Sequence, residues 1–419
     1  MSGRPDAPTR LARRLGTTDA VVIGLGSMIG AGVFAAFGPA ARAAGNGLLI
    51  GLGLAAIVAY CNATSSARLA AIYPESGGAY VYGRKRLGEF WGFLAGWGFV
   101  IGKLASCAAM AMTFGTYAAP ALARPLAIGA VIGITAVNYG GVQKTAKATR
   151  IIVAVALGAL AVVVGAVWLG GSADTERLWP IRAASVHGVL QSAGFLFFAF
   201  AGYARLATLG EEVARPEQVI PRAIPIALGI TLVVYAAVAV SILAGAGADA
   251  VAASTAPLAI AVESGRLAWL SPAVRVGATI ASLGVLLSLV AGVSRTVFAM
   301  SANGDLPAPF AAVHPRFRVP HRAEIAVGAV VAGVAAVADI RSAIGFSSFA
   351  VLTYYAVANA AAWTLETHQR RWPRALAALG LVGCAALALA LPAASVIGGT
   401  ALLALGALVY GIKRRRIRF

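Results

Sequence analysis

A run of glycines near the N-terminus is the strongest chemical signal in the sequence. Gly24, Gly26, Gly30 and Gly32 interrupt an apolar stretch from about 19 to 38. Each glycine costs a helix about 1 kcal/mol relative to alanine. Unpaired backbone groups in hydrocarbon cost still more, so such a break is typical of a cavity. The run therefore predicts a ligand site made of main-chain N–H and C=O groups at mid-membrane depth.

Two interpretations of the glycine run remain open. Free N–H groups at the N-terminus of a half-helix suit a carboxylate, because the helix dipole is positive there. Close helix packing through Gly26, Ser27 and Gly30 is the alternative. A dinucleotide fingerprint is excluded, since it requires a preceding strand and a soluble βαβ unit.

A second interrupted helix is predicted near residue 200. The run from Phe197 to Tyr203 leads into Arg205 and then into Glu211 and Glu212. The two breaks fall in predicted helices 1 and 6, which correspond if each half of the chain contains five helices. An odd number of helices per half puts the halves in opposite orientations. Paired breaks in such an inverted repeat indicate a transporter binding site.

Two cations lie inside predicted membrane spans, where charged groups are rare and usually functional. The protonation of a lysine in apolar surroundings is tunable, so Lys103 is a hypothesis for a proton carrier or a counter-charge to an acidic substrate. A structural lysine that binds carbonyls or extends to the interface is the alternative. Arg205 cannot release a proton at usable pH. An internal salt bridge or an extension to the cytoplasmic face is favoured for Arg205 over substrate contact.

The composition places these groups in a membrane protein. The chain has 60% hydrophobic and 12% charged residues, whereas soluble chains have about 25% charged residues. Apolar windows of about twenty residues, the length of a transmembrane helix, recur along the chain. They predict an all-α integral membrane protein with twelve helices, at approximately 19–38, 47–67, 90–118, 125–142, 151–170, 188–209, 223–246, 273–300, 323–339, 343–364, 375–391 and 393–412.

The net charge of +19 is unevenly distributed between the predicted loops. With both termini in the cytoplasm, most Lys and Arg residues fall on the cytoplasmic side, as the positive-inside rule requires. The sequence thus predicts a multi-pass protein of the plasma membrane with two cytoplasmic termini. The orientation of the chain in the lipid bilayer accounts for the net positive charge, and no nucleic acid partner is expected.

The predicted helices leave no room for a soluble domain. We expect a cytoplasmic N-terminal segment (1–18), repeat 1 with helices 1–5 (19–170), repeat 2 with helices 6–10 (188–364), helices 11 and 12 (375–412) and a basic cytoplasmic tail (413–419). The repeat is inferred from spacing, since the halves share little direct sequence similarity.

Four stretches resemble motifs of the amino acid–polyamine–organocation permeases. They occur in family order as GSMIGAGVF at 26–34, ATLGEEV at 207–213, PEQVIPRAI at 216–224 and GDLP at 304–307. The resemblance spans most of residues 19–364. It implies a LeuT-like fold, in which ten helices form a 5+5 inverted repeat and two helices are added at the C-terminus.

The resemblance implies a substrate site built mainly from the backbone. The carboxylate would be held by backbone atoms of Met28, Gly30, Ala31 and Gly32. The amino group would face the carbonyls of Phe198, Ala199 and Ala201, and the ring of Phe198 or Phe200 would cap the site. Ordinary core- or lipid-facing positions are equally typical of these aromatic residues.

The same resemblance bears on coupling. Several proton-coupled relatives have a lysine in helix 5, at a position near Ala156 here. Lys103 falls on a position of helix 3 that lines the substrate cavity in relatives, and Cys107 follows it one turn later. Lys103 is therefore the predicted coupling residue of this chain.

A gate is a further expectation from charge. Glu211 and Glu212 leave helix 6 near the cytoplasmic face, where Arg84 and Arg295 also lie. An inner gate of ion pairs is one interpretation. Loop residues with no gating role are the other, because exposed ion pairs contribute little.

The leading hypothesis is a secondary active transporter that moves an amino acid or close analogue by alternating access, as a proton symporter. Exchange without proton coupling and a non-transporting membrane sensor are the alternatives. An enzyme is not expected, because no His and no deep carboxylate lies in a predicted span to form a catalytic group. No cofactor and no metal is expected, since the three cysteines are scattered.

Overall fold

The computed structural model describes residues 16–75, 77–141, 146–179, 185–203, 213 and 215–417. These residues are almost entirely helical. In chain order the helices are α1 (Thr17–Met28), α2 (Ala31–Ala44), α3 (Leu48–Ile72), α4 (Ala79–Arg86), α5 (Glu89–Ala118), α6 (Ala123–Tyr139), α7 (Ala146–Leu169), α8 (Val186–Phe200), α9 (Pro216–Ala246), α10 (Ala248–Ala253), α11 (Pro257–Glu263), α12 (Ser271–Ala302), α13 (His321–Val337), α14 (Ile340–Trp363), α15 (Arg374–Ala390) and α16 (Ala393–Ile417).

The chain is a multi-pass membrane protein. Within the described residues, nine segments are long and apolar enough to cross a membrane. Helices α1 and α2 have 12 and 14 residues, and α13 and α15 have 17 each. They are shorter than the roughly 20 residues that a straight crossing needs. The predicted number of twelve crossings and the 5+5 repeat stay predictions.

The first helix is interrupted where the glycine run predicts a break. Ile29 and Gly30 leave the helical conformation, with ψ angles of 63° and −146°. The Ile29 N–H still donates to the Leu25 carbonyl at 2.6 Å, and the Gly30 N–H turns back to the Met28 carbonyl at 2.8 Å. Two half-helices, α1 and α2, therefore replace one continuous helix.

Gly26 packs against a neighbouring helix and is not part of the break. It lies inside α1, and a Cβ at this position would lie 2.8 Å from Cγ2 of Val153 on α7. The alternative reading of the run, close helix packing, thus describes Gly26. The break itself lies at Ile29 and Gly30.

The end of α8 lies in the region of the second predicted break. The α-helix stops at Phe200 and continues as a 3₁₀ turn over Ala201–Tyr203. The predicted span to residue 209 extends beyond this point, and Arg205, Glu211 and Glu212 lie outside the described residues.

A short helix that the sequence analysis did not predict precedes the long helix α5. Helix α4 has eight residues, and its last turn holds Arg84, Lys85 and Arg86. Its length and polarity give no apolar window. The following helix, α5, packs against α14, where the hydroxyl oxygens of Ser106 and Ser347 lie 2.6 Å apart in the buried interior. Helices α4 and α14 thereby flank the span that contains Lys103.

Candidate functional site

The break between α1 and α2 meets the end of α8 backbone to backbone. A Cβ added to Gly202 would overlap the carbonyl of Ser27, the residue before Met28 at the end of α1. A Cβ added to Gly32 would lie 2.9 Å from the Cα of Ala199 in α8. Side chains at Gly32 and Gly202 would therefore separate the two breaks, and glycine permits the contact.

Tyr235 of α9 joins the two breaks. Its buried hydroxyl lies 2.5 Å from the Met28 carbonyl oxygen and 3.1 Å from the Ala199 carbonyl oxygen. The hydroxyl has one proton, so it donates to one of these carbonyls at a time. The ring packs against Phe200, with ring centroids 5.1 Å apart. One carbonyl assigned to substrate contact, that of Ala199, thus shares the Tyr235 hydroxyl with the Met28 carbonyl.

Tyr355 of α14 contacts the other side of the second break. Its hydroxyl donates to the Ala201 carbonyl at 3.3 Å. Its ring stacks on Tyr203 with centroids 4.9 Å apart, and the ring of Phe197 lies 5.9 Å away. An aromatic cluster therefore packs around the 3₁₀ turn that ends α8.

The N-terminus of α2 supplies backbone donors. Gly30 is its N-cap residue, and no side chain among the described residues caps the helix there. The first N–H groups of an α-helix have no partner within the helix, and the dipole makes this end positive. Ala31 and Gly32 belong to this first turn, which makes it a suitable place for an anionic group.

Lys103 lies buried in the middle of α5. The residue is 8% exposed, and within the described part of the chain it makes no hydrogen bond and no ion pair. Its Nζ lies 5.8 Å from the centroid of the Phe99 ring. Cys107, one turn later, is buried. A cation with so few partners in an apolar surrounding is costly, as the sequence analysis expects for a functional lysine.

Aromatic contacts connect the surroundings of Lys103 with the second break. The Phe99 ring packs against Tyr354 at 5.1 Å between centroids, and Tyr354 packs against Tyr355 at 5.2 Å. Tyr355 in turn binds the Ala201 carbonyl. A series of three rings therefore links the surroundings of Lys103 to the end of α8.

Asp305, not a glutamate of the 207–213 motif, is the described partner of Arg84. The Arg84 Nη1 and Asp305 Oδ2 atoms lie 2.7 Å apart, and Asp305 also accepts from the Tyr80 hydroxyl at 2.7 Å. Asn303 donates to the Tyr80 oxygen at 3.0 Å. The network ties α4 to the end of α12. Burial and then the hydrogen bond to the Asp305 carboxylate raise the pKa of Tyr80.

The predicted site residues are buried as a group: Met28, Phe198, Ala199, Phe200 and Ala201 are each less than one-tenth exposed. The sequence analysis missed Tyr235, Tyr355, Asp305 and Glu324. A tyrosine inside an apolar span indicates a buried polar contact, because its hydroxyl needs a hydrogen-bond partner. Glu324 is buried in the first turn of α13, and its Oε2 has no hydrogen-bond partner among the described residues.

Comparison with known proteins identifies the family. The family model of amino acid permeases matches residues 15–409. An uncharacterized transporter of Mycobacterium tuberculosis is 61% identical over 409 residues, covering 98% of this chain and 93% of the relative. The methylthioribose transporter of Bacillus subtilis is 32% identical, covering 78% and 75% of the two chains.

A further relative is the branched-chain amino acid permease BcaP of Bacillus subtilis, 26% identical over 88% of this chain and 84% of the relative. The family and these relatives are transporters. The extent of the family match also agrees with the motif resemblance, which spans both interrupted helices. The chain belongs to the amino acid permease family, within the amino acid–polyamine–organocation superfamily.

Proposed function

We propose that the chain is a secondary transporter that moves an amino acid or close analogue by alternating access. The observation that supports this most is the contact of the two breaks, at Gly202 against Ser27 and at Gly32 against Ala199. Broken helices in a membrane are tolerated where their free backbone groups serve a cavity. The substrate site therefore lies between α1, α2 and α8.

The proposed substrate pose follows from the polarity of the backbone groups. The carboxylate accepts from the N–H groups at the start of α2, near Gly30, Ala31 and Gly32. The amino group donates to carbonyls of the α8 end, at Phe198, Ala199 and Ala201. Phe198 is the better of the two capping rings, because Phe200 is already packed against Tyr235.

The proposed architecture is a LeuT-like inverted repeat with helices 1–5 at 19–170 and helices 6–10 at 188–364. Both termini lie in the cytoplasm. Basic residues support this orientation, since Arg84 binds Asp305, Arg86 binds the Thr364 carbonyl and Arg68 binds the Gln369 carbonyl at one end of the molecule. An excess of Lys and Arg marks the cytoplasmic side.

The transport is proposed to be proton-coupled, with Lys103 as the proton carrier. Burial of Lys103 without a hydrogen bond or ion pair to the described residues supports this role. A carrier of this kind would bind a proton on one side of the membrane and release it on the other. Substrate exchange without proton coupling is the alternative, and it needs no titratable group in the membrane.

Counterflow in proteoliposomes tests the transport function. Liposomes that contain the purified chain are loaded with one unlabelled compound and placed in the same compound in labelled form. The panel includes branched-chain amino acids and methylthioribose, for which two relatives are named, and cationic amino acids. Label that accumulates for an amino acid supports the proposal. Label that enters only as in empty liposomes for every compound contradicts it.

Lys103 variants test the coupling. With an inward proton gradient, we expect Lys103→Gln to lose gradient-driven uptake while it keeps counterflow, because exchange needs no net proton movement. Lys147→Gln, which removes an exposed lysine from the start of α7, is the matched control and keeps both activities. Uptake that stays fully gradient-driven in Lys103→Gln would show that another group couples the proton.

A further inference from the structure

A small cleft lined by four arginines lies where α3, α14 and α15 end or begin. Arg68 comes from the last turns of α3, and Arg370, Arg371 and Arg374 come from the segment between α14 and the start of α15. The cavity volume is about 30 Å³, room for about two or three water molecules, since one needs at least about 10–15 Å³ of cavity volume. The cleft therefore admits an oxygen-rich group but no whole amino acid, which separates it from the proposed substrate site.

The positive charge of this arginine cleft is not compensated by protein carboxylates. Arg68 donates to the carbonyl of Gln369, and Arg370 donates to the carbonyl of Leu365 at 2.8 Å. In the described residues none of the four arginines forms an ion pair, and the nearby Glu366 pairs with His368 at 3.4 Å. Since each guanidinium has five N–H donors, most of them remain for an anion.

The like charges of the arginine cleft repel one another. Partial desolvation and then the neighbouring charge of Arg374 lower the pKa of Arg370. A cluster of like charges is destabilising until an anion binds. The planar guanidinium fork matches phosphate oxygens in particular.

Apolar surface adjoins the arginine cleft. Helix α15 starts at the cleft, and its Leu379, Val382 and Leu389 are 49%, 64% and 69% exposed. Their spacing of three and seven residues puts them on one face of the helix. Trp363 is half-exposed beside the cleft and lies under the Arg374 guanidinium, as is typical of tryptophan at a membrane interface. A phosphate in the cleft with acyl chains along α15 fits this arrangement.

We propose that the arginine cleft binds the phosphate of an anionic phospholipid, whose acyl chains lie along the exposed apolar face of α15. The small enclosed volume takes only phosphate oxygens, and the rest of the lipid stays on the surface between protein and bilayer. This lipid site is separate from the proposed substrate site, so the proposal does not depend on which substrate is transported.

Lipid titration of the full-length chain tests the proposal. Purified protein in detergent is titrated with phosphatidylglycerol, phosphatidylcholine or inorganic phosphate, and the bound lipid is counted by native mass spectrometry alongside the melting temperature. We expect one retained phosphatidylglycerol and a higher melting temperature, since a ligand of the native state stabilises it. Equal binding of phosphatidylcholine, or stabilisation by inorganic phosphate to the same degree, overturns the lipid assignment.

Charge-removing variants locate the site. Arg370→Gln/Arg374→Gln is expected to weaken phosphatidylglycerol binding about tenfold, which corresponds to about 1.4 kcal/mol. The control Arg316→Gln/Arg322→Gln removes two exposed charges, one between α12 and α13 and one in the first turn of α13, and keeps the affinity. An equal loss in both double variants overturns the proposal.

A further single variant distinguishes loss of lipid binding from local unfolding. Arg370 and Arg374 also bond the Leu365 carbonyl, so their loss could disturb the segment itself. Arg371 lines the cleft and makes no hydrogen bond to the described residues, and its guanidinium lies over the Trp372 ring. Arg371→Gln with unchanged melting temperature and reduced lipid affinity supports the site. Unchanged affinity in this variant counts against it.

Discussion

At the scale of single residues, the candidate site depends on hydroxyls as much as on glycines. Gly32 and Gly202 let the two breaks touch, and Tyr235 holds the carbonyls that the touching backbones expose. The glycines are readable from sequence because an interrupted apolar run is energetically anomalous. Tyr235 is not predictable in this way, since its partners Met28 and Ala199 lie 207 and 36 residues away in the chain, and the contacts depend on how α9 packs against α1 and α8.

Tyr235→Phe removes this hydroxyl at nearly constant volume. We expect a lower melting temperature, because leaving buried acceptors without their donor costs about 1–3 kcal/mol. Tyr60→Phe is the matched control, since Tyr60 is exposed on α3 and makes no hydrogen bond to the residues described. Thermal unfolding of the two variants in one detergent checks the prediction. Equal melting temperatures would mean that the hydroxyl does not stabilise the contact between the breaks.

At the scale of elements, the sequence predicts the long helices well and the short ones poorly. The predicted span 90–118 matches α5 (Glu89–Ala118) to within a residue, because Lys103 is the one charged residue in this otherwise mostly apolar stretch. The predicted span 19–38 is in fact two half-helices, and the second continues to Ala44 past Pro39 and Arg42. Helix α4 is missed, since its eight residues are too few to give a recognisable apolar period.

The contact between α4 and α12 is the element-scale feature that sequence did not predict. Asp305 is 11% exposed at its side chain and binds Arg84 and Tyr80. We expect Asp305→Asn to destabilise the chain by about 1–3 kcal/mol, the usual range for a hydrogen bond to a charged group. Glu75→Gln is the control, because its pair with Lys85 is long, at 3.5 Å, and exposed, and such pairs contribute about 0–1 kcal/mol.

The double variant Arg84→Gln/Asp305→Asn separates this pair from general damage. If the two residues act through each other, the combined loss is smaller than the sum of the single losses by about 0.5–3 kcal/mol. Shifts in melting temperature measure the three variants. Strict additivity would mean that the ion pair does not link α4 to α12.

Glu263 links α11 to α12 and gives a pH dependence. It accepts from Ser271 at 2.6 Å and from Arg275 at 3.0 Å. The hydrogen bond from Ser271, followed by Arg275, lowers the pKa of Glu263. A lowered pKa means that the folded state favours the ionised form, so its stabilisation is present above the ordinary value of about 4.3 and is lost as pH falls through the folded pKa.

The comparison with Glu263→Gln isolates this effect from other carboxylates. At neutral pH we expect wild type to melt at a higher temperature than Glu263→Gln. Below about pH 4 the difference should shrink, since Glu263 is then protonated. Melting curves between roughly pH 3 and pH 7 measure it. A difference that stays constant over this range would exclude the ionised form as the stabilising species.

At the scale of the whole molecule, arginines lie at both ends. The end that holds Arg68, Arg84 and Arg86 also holds the arginine cleft. The opposite end holds Arg42, which donates to the Ala252 carbonyl, and Arg177, which binds the Gly245 carbonyl. Orientation in the membrane stays a prediction that follows from counting charges. The repeat stays a prediction from spacing, since the halves share little sequence.

Cysteine labelling checks the orientation. The native cysteines are all buried, so an added surface cysteine gives the signal. We expect a membrane-impermeant maleimide to label Thr255→Cys in intact cells, because Thr255 is exposed between α10 and α11. Thr367→Cys, exposed near the arginine cleft, should be labelled only after permeabilisation. The reverse pattern would invert the proposed topology.

Two neighbouring tyrosines of α14 bind the start of α4 and the turn that ends α8. The Tyr354 hydroxyl accepts from the Ala79 N–H at the start of α4 at 2.8 Å, while the Tyr355 hydroxyl donates to the Ala201 carbonyl. A helix is stiff over two residues, and a shift of about 1 Å already breaks a hydrogen bond. A shift of α14 of that size therefore disturbs both bonds at once. We therefore expect the contact at the start of α4 and the contact at the end of α8 to change together.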